Sequence, residues 1–577
     1  MRSSMTTDRL RRANLGGDQV IGYNRAHLDH MTSTETIVEP TESAPNPIAP
    51  PPDRATEIDR GAGITRAAGI VAAGNVLSSV LGLVREIVKS DLFGASGFVS
   101  AYNVAAYVPS MLFDLLVGGL VSSALVPMFS ELAARKDRGE LWRLLSLLLS
   151  VAVVFLSIAV LLLELFAPQV ARVMAGGFDE ALLKVTADLL RITVPAVLFL
   201  SLSAIVSGAL YALKRFAFPA FAAPLFNLAT IIVTILLASR LGIAAMALGL
   251  LVGSICQLLF QLPGLRGATL RWHFDLRDPA LRRILTLYLP VLAGLIIGQV
   301  AIAISLNLAS RTGDKGIALM DYPTRLIQFP LGLIVSAVSI AILPSLSRSA
   351  AENSSRDFRA TLAQGLRLVL VLIIPSTLGL YVLGFNIVEL LYEHGAFTPA
   401  DTQAVTLMLW LYLAGLIFAG IDQPLVFAFY ARKDTLTPAL VGLFCNVGIY
   451  LAVALLLPVL AGRPLRITDL AIANSVQWMS HALIMLFLAR QRLGGLGGFG
   501  LWSLTGKAIS GSIVMALAAY AALTVLTAMF GASSVLREGV GVIGSAVVGF
   551  GLYLGIMVLW KVPEVGMMWR IFRRRVA

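Results

Sequence analysis

From about residue 63 onward the chain alternates long apolar stretches with short polar turns. A helix needs roughly 20 apolar residues to cross a bilayer core, and LLSLLLSVAVVFLSIAVLLLELFA at 144–167 exceeds that length. Apolar length and periodicity predict about fourteen spans, near 66–92, 98–130, 141–166, 180–212, 216–240, 242–265, 280–309, 316–347, 357–384, 401–430, 434–460, 466–492, 505–530 and 537–562. The expected fold class is an all-α polytopic membrane protein. Residues 1–62 break the pattern. They are polar and include Pro45, Pro47, Pro50, Pro51 and Pro52, which reads as a disordered tail without the apolar core of a signal peptide.

Two short peptides recur along the chain. ALVPMFSELAA at 124–134 returns as AILPSLSRSAA at 341–351, and YALKRFAFPA at 211–220 returns as YARKDTLTPA at 430–439. The offsets, 217 and 219 residues, map spans 1–6 onto spans 7–12. Six is even, so the two halves share one orientation and are related by an axis along the membrane normal, a plan common among carriers. The expected organisation is a tail over 1–62, an N-lobe over 63–270, a C-lobe over 271–495, and two extra spans with a basic tail over 496–577.

Composition removes several functional classes. Of 577 residues, 57% are hydrophobic and 14% charged, with a mean hydropathy of +0.83, which no soluble domain would carry. Cys256 and Cys445 lie in separate spans and read as small buried residues, with neither a disulfide framework nor a metal site. Lys and Arg gather in the loops after even-numbered spans, so the positive-inside rule places both termini in the cytoplasm. The net charge of +12 is then mostly an orientation signal that also attracts anionic lipid, and no nucleic-acid partner is expected. There is no Walker loop, metal-spaced cluster or nucleophile elbow, which leaves an ion gradient or the membrane potential as the drive and no cofactor to name.

Polar residues inside the spans carry the candidate chemistry. Asn75, Ser78, Gly82, Arg85 and Lys89 fall on one face of span 1, with Ser79 and Glu86 beside it. Span 2 repeats the pattern with Asn103, Tyr107, Ser110, Asp114, Gly118 and Ser122, and span 8 with Asp321, Arg325, Gln328, Gly332, Ser336 and Ser339. A charge at the bilayer centre costs about 2.5–3.5 kcal/mol on insertion scales, so these side chains should face a protein interior or an aqueous cavity. Arginine's planar fork of donors suits phosphate oxygens, which makes Arg85 and Arg325, one in each half, candidate phosphate ligands. Asn75, Ser79, Glu86, Lys89, Asp114, Asp321 and Gln328 are candidate cavity-lining residues. The alternatives are helix packing for the small polar groups, snorkelling to the interface for Lys89, a local i,i+4 pairing with Arg325 for Asp321, and packing for His481.

Several strings resemble the MviN/MurJ family: LGLVREIVKSDLFGAS (81–96), VPSMLFDLLVGGLVSSALVPMFSE (108–131), DYPTRLIQFPLGLIVSAVSIAILPSLSR (321–348), HGAFTPADT (394–402) and FYARKDTLTPA (429–439). The resemblance runs from about residue 65 to at least 490. It implies the multidrug/oligosaccharidyl-lipid/polysaccharide exporter fold, with two six-helix lobes around a cavity and two further helices. It also implies a flippase that moves lipid II, the undecaprenyl-diphosphate-linked peptidoglycan precursor, outward across the bacterial inner membrane, as a monomer and not as an enzyme. Arg85 and Arg325 match two of that family's cavity arginines, whereas Ser79, Phe113, Gly118 and Ser100 stand where it usually has charged residues. These departures leave open a flippase for another polyprenyl-diphosphate-linked saccharide. A drug/cation antiporter of the same superfamily would want an acidic cavity, and a membrane-embedded enzyme would need an acid/base cluster that the sequence does not display.

Overall fold

The computed structural model describes residues 54–566 apart from 122–124, 135–137, 353 and 531–534. Ser122, most of the polar tail and the basic C-terminal tail therefore lie outside the described residues. The first half contains α1 (Arg54–Phe93), α2 (Gly97–Phe113), α3 (Val126–Ala134), α4 (Gly139–Leu165), α5 (Ala167–Ala175), α6 (Glu180–Thr193), α7 (Ala196–Ala212), α8 (Ala217–Leu241) and α9 (Ala244–Gln261). The second half contains α10 (Pro279–Ser310), α11 (Gly316–Pro330), α12 (Ala337–Ala351), α13 (Ser355–Tyr392), α14 (Pro399–Ala431), α15 (Leu436–Leu443), α16 (Tyr450–Leu460) and α17 (Ile467–Leu493). The remaining pair is α18 (Leu501–Phe530) and α19 (Val535–Leu559). Among the described residues, 13 helical stretches are long and apolar enough to cross a bilayer. The fourteenth expected span is α10, one continuous helix whose Gly294–Ser310 part is apolar but shorter than the others. Helix α1 starts at Arg54, so the last residues of the segment read as tail are helical.

Several expected spans are interrupted where the backbone chemistry changes. The span over 180–212 breaks at Pro195, which lacks an amide hydrogen and separates α6 from α7. Span 2 leaves α-geometry in a π-helical turn at Asp114–Gly118, and span 8 does the same at Leu331–Ser336, 217 residues later. The duplication thus extends to a helix defect of a kind often found at functional sites. A third π-turn, Phe444–Ile449, interrupts span 11 between α15 and α16. The repeated YA-x-K turns also share a backbone state: Lys214 and Lys433 have φ of 60° and 62°, in the left-handed region that L-residues avoid.

Burial divides the molecule along its length. One large core joins both halves, running from Val99 and Tyr102 through Leu190 to Tyr322, Ile373, Tyr392 and Phe397. At the opposite end there are two separate cores. Phe129, Trp142, Leu145 and Leu210 belong to the first, and Leu346, Phe358, Leu425 and Met485 to the second. The halves therefore close on each other at the end where α1 terminates and part at the other end. Leu281 and Ile284 of α10 pack into the first-half core, and Arg143 Nη2 reaches Asp278 at 2.7 Å, so the start of span 7 leans on the opposite lobe. Helices α18 and α19 pack together against α13, where the Tyr553 hydroxyl donates to the Val371 carbonyl at 2.7 Å and Arg367 pairs with Glu564.

The sealed end is held by close backbone approach. The turn after α1 presses on the turn after α13, where Ala396 N donates to the Asp91 carbonyl at 2.8 Å. Gly395 has φ +54°, and a Cβ there would stand 2.2 Å from the Asp91 carbonyl oxygen. Tyr322 donates to the Gly94 carbonyl at 2.8 Å, and Ala318 N to Ser100 Oγ at 3.1 Å. Gly395→Val should therefore wedge this end open. A cysteine placed at Ala106 in a chain lacking Cys256 and Cys445 should then react faster with a membrane-impermeant thiol reagent added from the sealed side; an unchanged rate would show that the turn is not the seal.

Candidate functional site

Between the lobes lies a cavity of ≈ 760 Å³ that ends against the sealed core. Helix α1 brings Arg85, Glu86 and Lys89 to it, and α11 brings Asp321, Thr324, Arg325 and Gln328. The charged groups form one connected cluster. Lys89 Nζ bonds Asp321 Oδ2 at 2.8 Å, pairs closely with Glu86, and approaches Asn103 Oδ1 at 3.4 Å. Arg325 Nη2 bonds Asp321 Oδ1 at 2.9 Å, and its Nε lies 4.0 Å from Glu86 Oε1. Arg85 donates from Nη2 to Glu86 Oε1 at 3.0 Å and from Nη1 to Asn227 Oδ1 at 3.1 Å.

Exposure separates the roles of the three cations. The Lys89 side chain is 1% exposed, sandwiched between two carboxylates with its ammonium 4.9 Å from the centre of the Tyr322 ring. Arg85 and Arg325 are 20% and 38% exposed and present part of each guanidinium to the cavity. Lys89 thus joins α1 to α11 across the lobes, and the two arginines offer hydrogen-bond donors to the cavity contents. With two carboxylates against three cations, the cluster keeps one positive charge in a partly water-excluded setting, where such charge acts strongly on an anion.

The other expected lining residues divide. Gln328 faces the cavity. Asn75 and Ser79 do not line it: both are exposed on an earlier stretch of α1, where Ser79 Oγ donates to the Asn75 carbonyl at 3.0 Å. Asn75 shares the helical face of Arg85 by spacing and Ser79 lies beside that face, but at that depth both side chains are exposed. Asp114 also lies off the lining, exposed at the π-turn and 3.5 Å from Gln299 Nε2, while Tyr107 of the lining bonds Gln299. Lys89 does not snorkel outward, because its two carboxylate partners lie inside. His481, read as a packing residue, is 2.7 Å from Asp422. Ser100 is fully buried and accepts the Ala318 amide, a contact between lobes in place of a cavity charge.

Sequence reading missed Asn227 and most of the second-half wall. Asn227 anchors Arg85 while its own Nδ2 donates to the Ser78 carbonyl at 3.3 Å. The repeat held a signal for it, since Asn227 and Asn446 stand 219 residues apart and both contribute to polar contacts at or beside the cavity. That wall includes Ser305, Tyr412, Asn446, Tyr450, Asn474, Gln477 and Trp478, with no charged side chain among them. Among the described residues no group of three or more His, Cys, Asp or Glu is placed to hold a metal ion.

Two lobes sealed at one end around a charged cavity define an all-α polytopic membrane protein with a central cavity. The solved structure of a lipid II flippase MurJ in an inward closed conformation superposes with a TM-score of 0.69 at 24% identity, covering 85% of this chain and 98% of that one. A multidrug resistance MATE family transporter of the MOP superfamily, in an inward-facing conformation, superposes at 0.61 with 13% identity, covering 73% and 95%; at these identities both likenesses speak for the fold. The family described as lipid II flippase MurJ matches residues 89–541, and the chain belongs to that family. The lipid II flippase MurJ of Burkholderia cenocepacia is 30% identical over 431 residues, which is 73% of this chain and 82% of that protein. A probable lipid II flippase MurJ of Vibrio cholerae is 31% identical over 385 residues, covering 64% and 73%.

Removing one member of a buried ion cluster strands the others, at a cost of about 3–5 kcal/mol. Lys89→Met should lower the melting temperature of the detergent-purified protein, and adding Asp321→Asn should recover part of the loss. A single variant that melts with the wild type would show that Lys89 does not hold α1 to α11.

Proposed function

We propose that this protein flips lipid II between the leaflets of the bacterial inner membrane by alternating access of its two lobes, serving cell-wall biogenesis without changing its cargo chemically. The observation that carries this reading is the arrangement of Arg85 and Arg325 around Glu86 and Asp321 at the closed end of the cavity. Glu86 and Asp321 occupy donors of the two guanidinium groups. A diphosphate brings several oxygens and more than one negative charge, so it competes for the same donors. Recruiting Arg325 weakens its hold on Asp321, the residue that ties Lys89 to α11, and thus joins cargo binding to the contact between lobes. The family membership and the names of the curated relatives support the cargo.

With both termini in the cytoplasm, as the distribution of Lys and Arg favours, the sealed end faces outward and the cavity loads from the cytoplasmic leaflet. The head group enters between the lobes while the polyprenyl chain stays in lipid. One copy of the chain suffices, and an ion gradient or the membrane potential supplies the drive. An antiporter for cationic drugs fits poorly, because both carboxylates of the cluster are already neutralised by arginine and lysine.

Arg325→Ala and Arg85→Ala should each fail to support growth of a flippase-depleted strain at normal protein level, with transport in vesicles reduced by tenfold or more, the effect of losing about 1.4 kcal/mol of binding. Full complementation by Arg325→Ala would remove the assigned role. A fluorescent protein fused to the C-terminus should be fluorescent, as it folds in the cytoplasm, and a dark fusion at normal level would reverse the orientation.

A further inference from the structure

The cavity has two chemically different walls. Among the described residues, α1 and α11 supply every charged side chain that lines it, whereas the wall built from α10, α14, α16, α17 and the third π-turn is uncharged, with most of its polar groups on α14, α16, α17 and that turn. On α17, Asn474, Gln477 and Trp478 follow at i, i+3 and i+4, so one helical face presents two amides and an indole together. The Phe444–Ile449 π-turn sets Asn446 opposite, where its Oδ1 accepts Gln477 Nε2 at 2.6 Å. Trp478 packs beside Tyr412, with ring centres 6.4 Å apart and planes tilted by 41°.

Two polar atoms of this wall lack a protein partner. The Tyr412 hydroxyl, on a side chain only 1% exposed, and Asn474 Oδ1 are both buried without a hydrogen bond. A buried donor or acceptor left unpaired is costly, and both residues line the cavity, so a ligand group arriving there gains the bonds the protein does not make.

From this geometry we infer that the neutral wall is a saccharide subsite, with Trp478 as the platform for a pyranose face and Tyr412, Asn474 and Gln477 as the partners of its hydroxyl and acetamido groups. Carboxamides both donate and accept, which matches the mixed polarity of a sugar edge, and an indole offers a flat apolar surface to the ring C–H groups. A phosphate or a carboxylate-bearing peptide would find no cation on this wall. The inference rests on the proposal that the diphosphate sits at Arg85 and Arg325. Helix α17 packs against α11, so a sugar bonded directly to that diphosphate meets this wall next.

The test compares two probes, lipid II and undecaprenyl diphosphate, by native mass spectrometry of the purified full-length protein. Wild type should prefer lipid II. Gln477→Ala and Trp478→Ala should each cut that preference by about tenfold, the effect of losing a paired polar contact or a packed aromatic face, with undecaprenyl diphosphate binding unchanged. Trp478→Phe should retain most of the preference. Monodisperse elution guards against misfolding of the Trp478 variant, and Gln477→Ala tests the subsite without removing an aromatic anchor. Equal weakening of both probes, or no change in either, overturns the saccharide subsite. Arg325→Ala should weaken both probes; if it spares undecaprenyl diphosphate, the diphosphate assignment falls while the preference ratio still reports on the sugar wall.

Discussion

A charge carried into a bilayer must find its counter-charge within the protein, and the cluster at the end of the cavity is built around that requirement. Lys89 lies almost without exposure between Glu86 of its own helix and Asp321 of the other half. Neither carboxylate could remain ionised at this depth without a cation, and Lys89 could not remain charged without them. The closed end of the molecule, with its shared core of Tyr322, Tyr392 and Phe397, assembles around this mutual need. Separating the lobes there exposes the charges, and under the proposed function this is also where an anionic cargo would alter the balance between closed and open.

The duplication provides a common frame, and the two halves use it differently. Both carry a π-turn at the same repeat position, both place a lysine in the left-handed region at the YA-x-K turn, and both contribute an asparagine at offset 219 to polar contacts around the cavity. In the first half that asparagine holds an arginine; in the second it holds a glutamine. One frame therefore yields a charged surface and a neutral one facing the same space. Under the proposed function, a diphosphate and the sugar bonded to it would each meet a surface suited to its chemistry, and a symmetric cavity would serve one of them poorly.

The departures from the family pattern acquire physical meaning from their positions. Ser100 has no route to the cavity and instead accepts a backbone amide from the other lobe. Ser79 sits where the lobes have already separated, too far along α1 to take part in the cluster. Lys89, one helical turn beyond Arg85 and on the same face, carries a positive charge into the cluster.

Much of the fold was determined by the sequence alone, because apolar length and the spacing of basic loops act locally along each span. The even offset of the repeated peptides was sufficient to make the lobes parallel, and the helical face shared by Arg85 and Lys89 was legible from a spacing of four. Only the tertiary structure decided which parts of a polar stripe face a cavity. Asn75 and Lys89 share a face by periodicity and Ser79 lies beside it, yet of the three only Lys89 reaches the other half, and periodicity carries no information about depth along a helix. The pairing of Lys89 with Asp321, 232 residues away, and the unpartnered Tyr412 and Asn474 on the opposite wall likewise depend on how separate spans converge. Hydropathy tells each helix that it must enter the membrane; the company its polar groups keep there is set by the packing of helices distant in sequence.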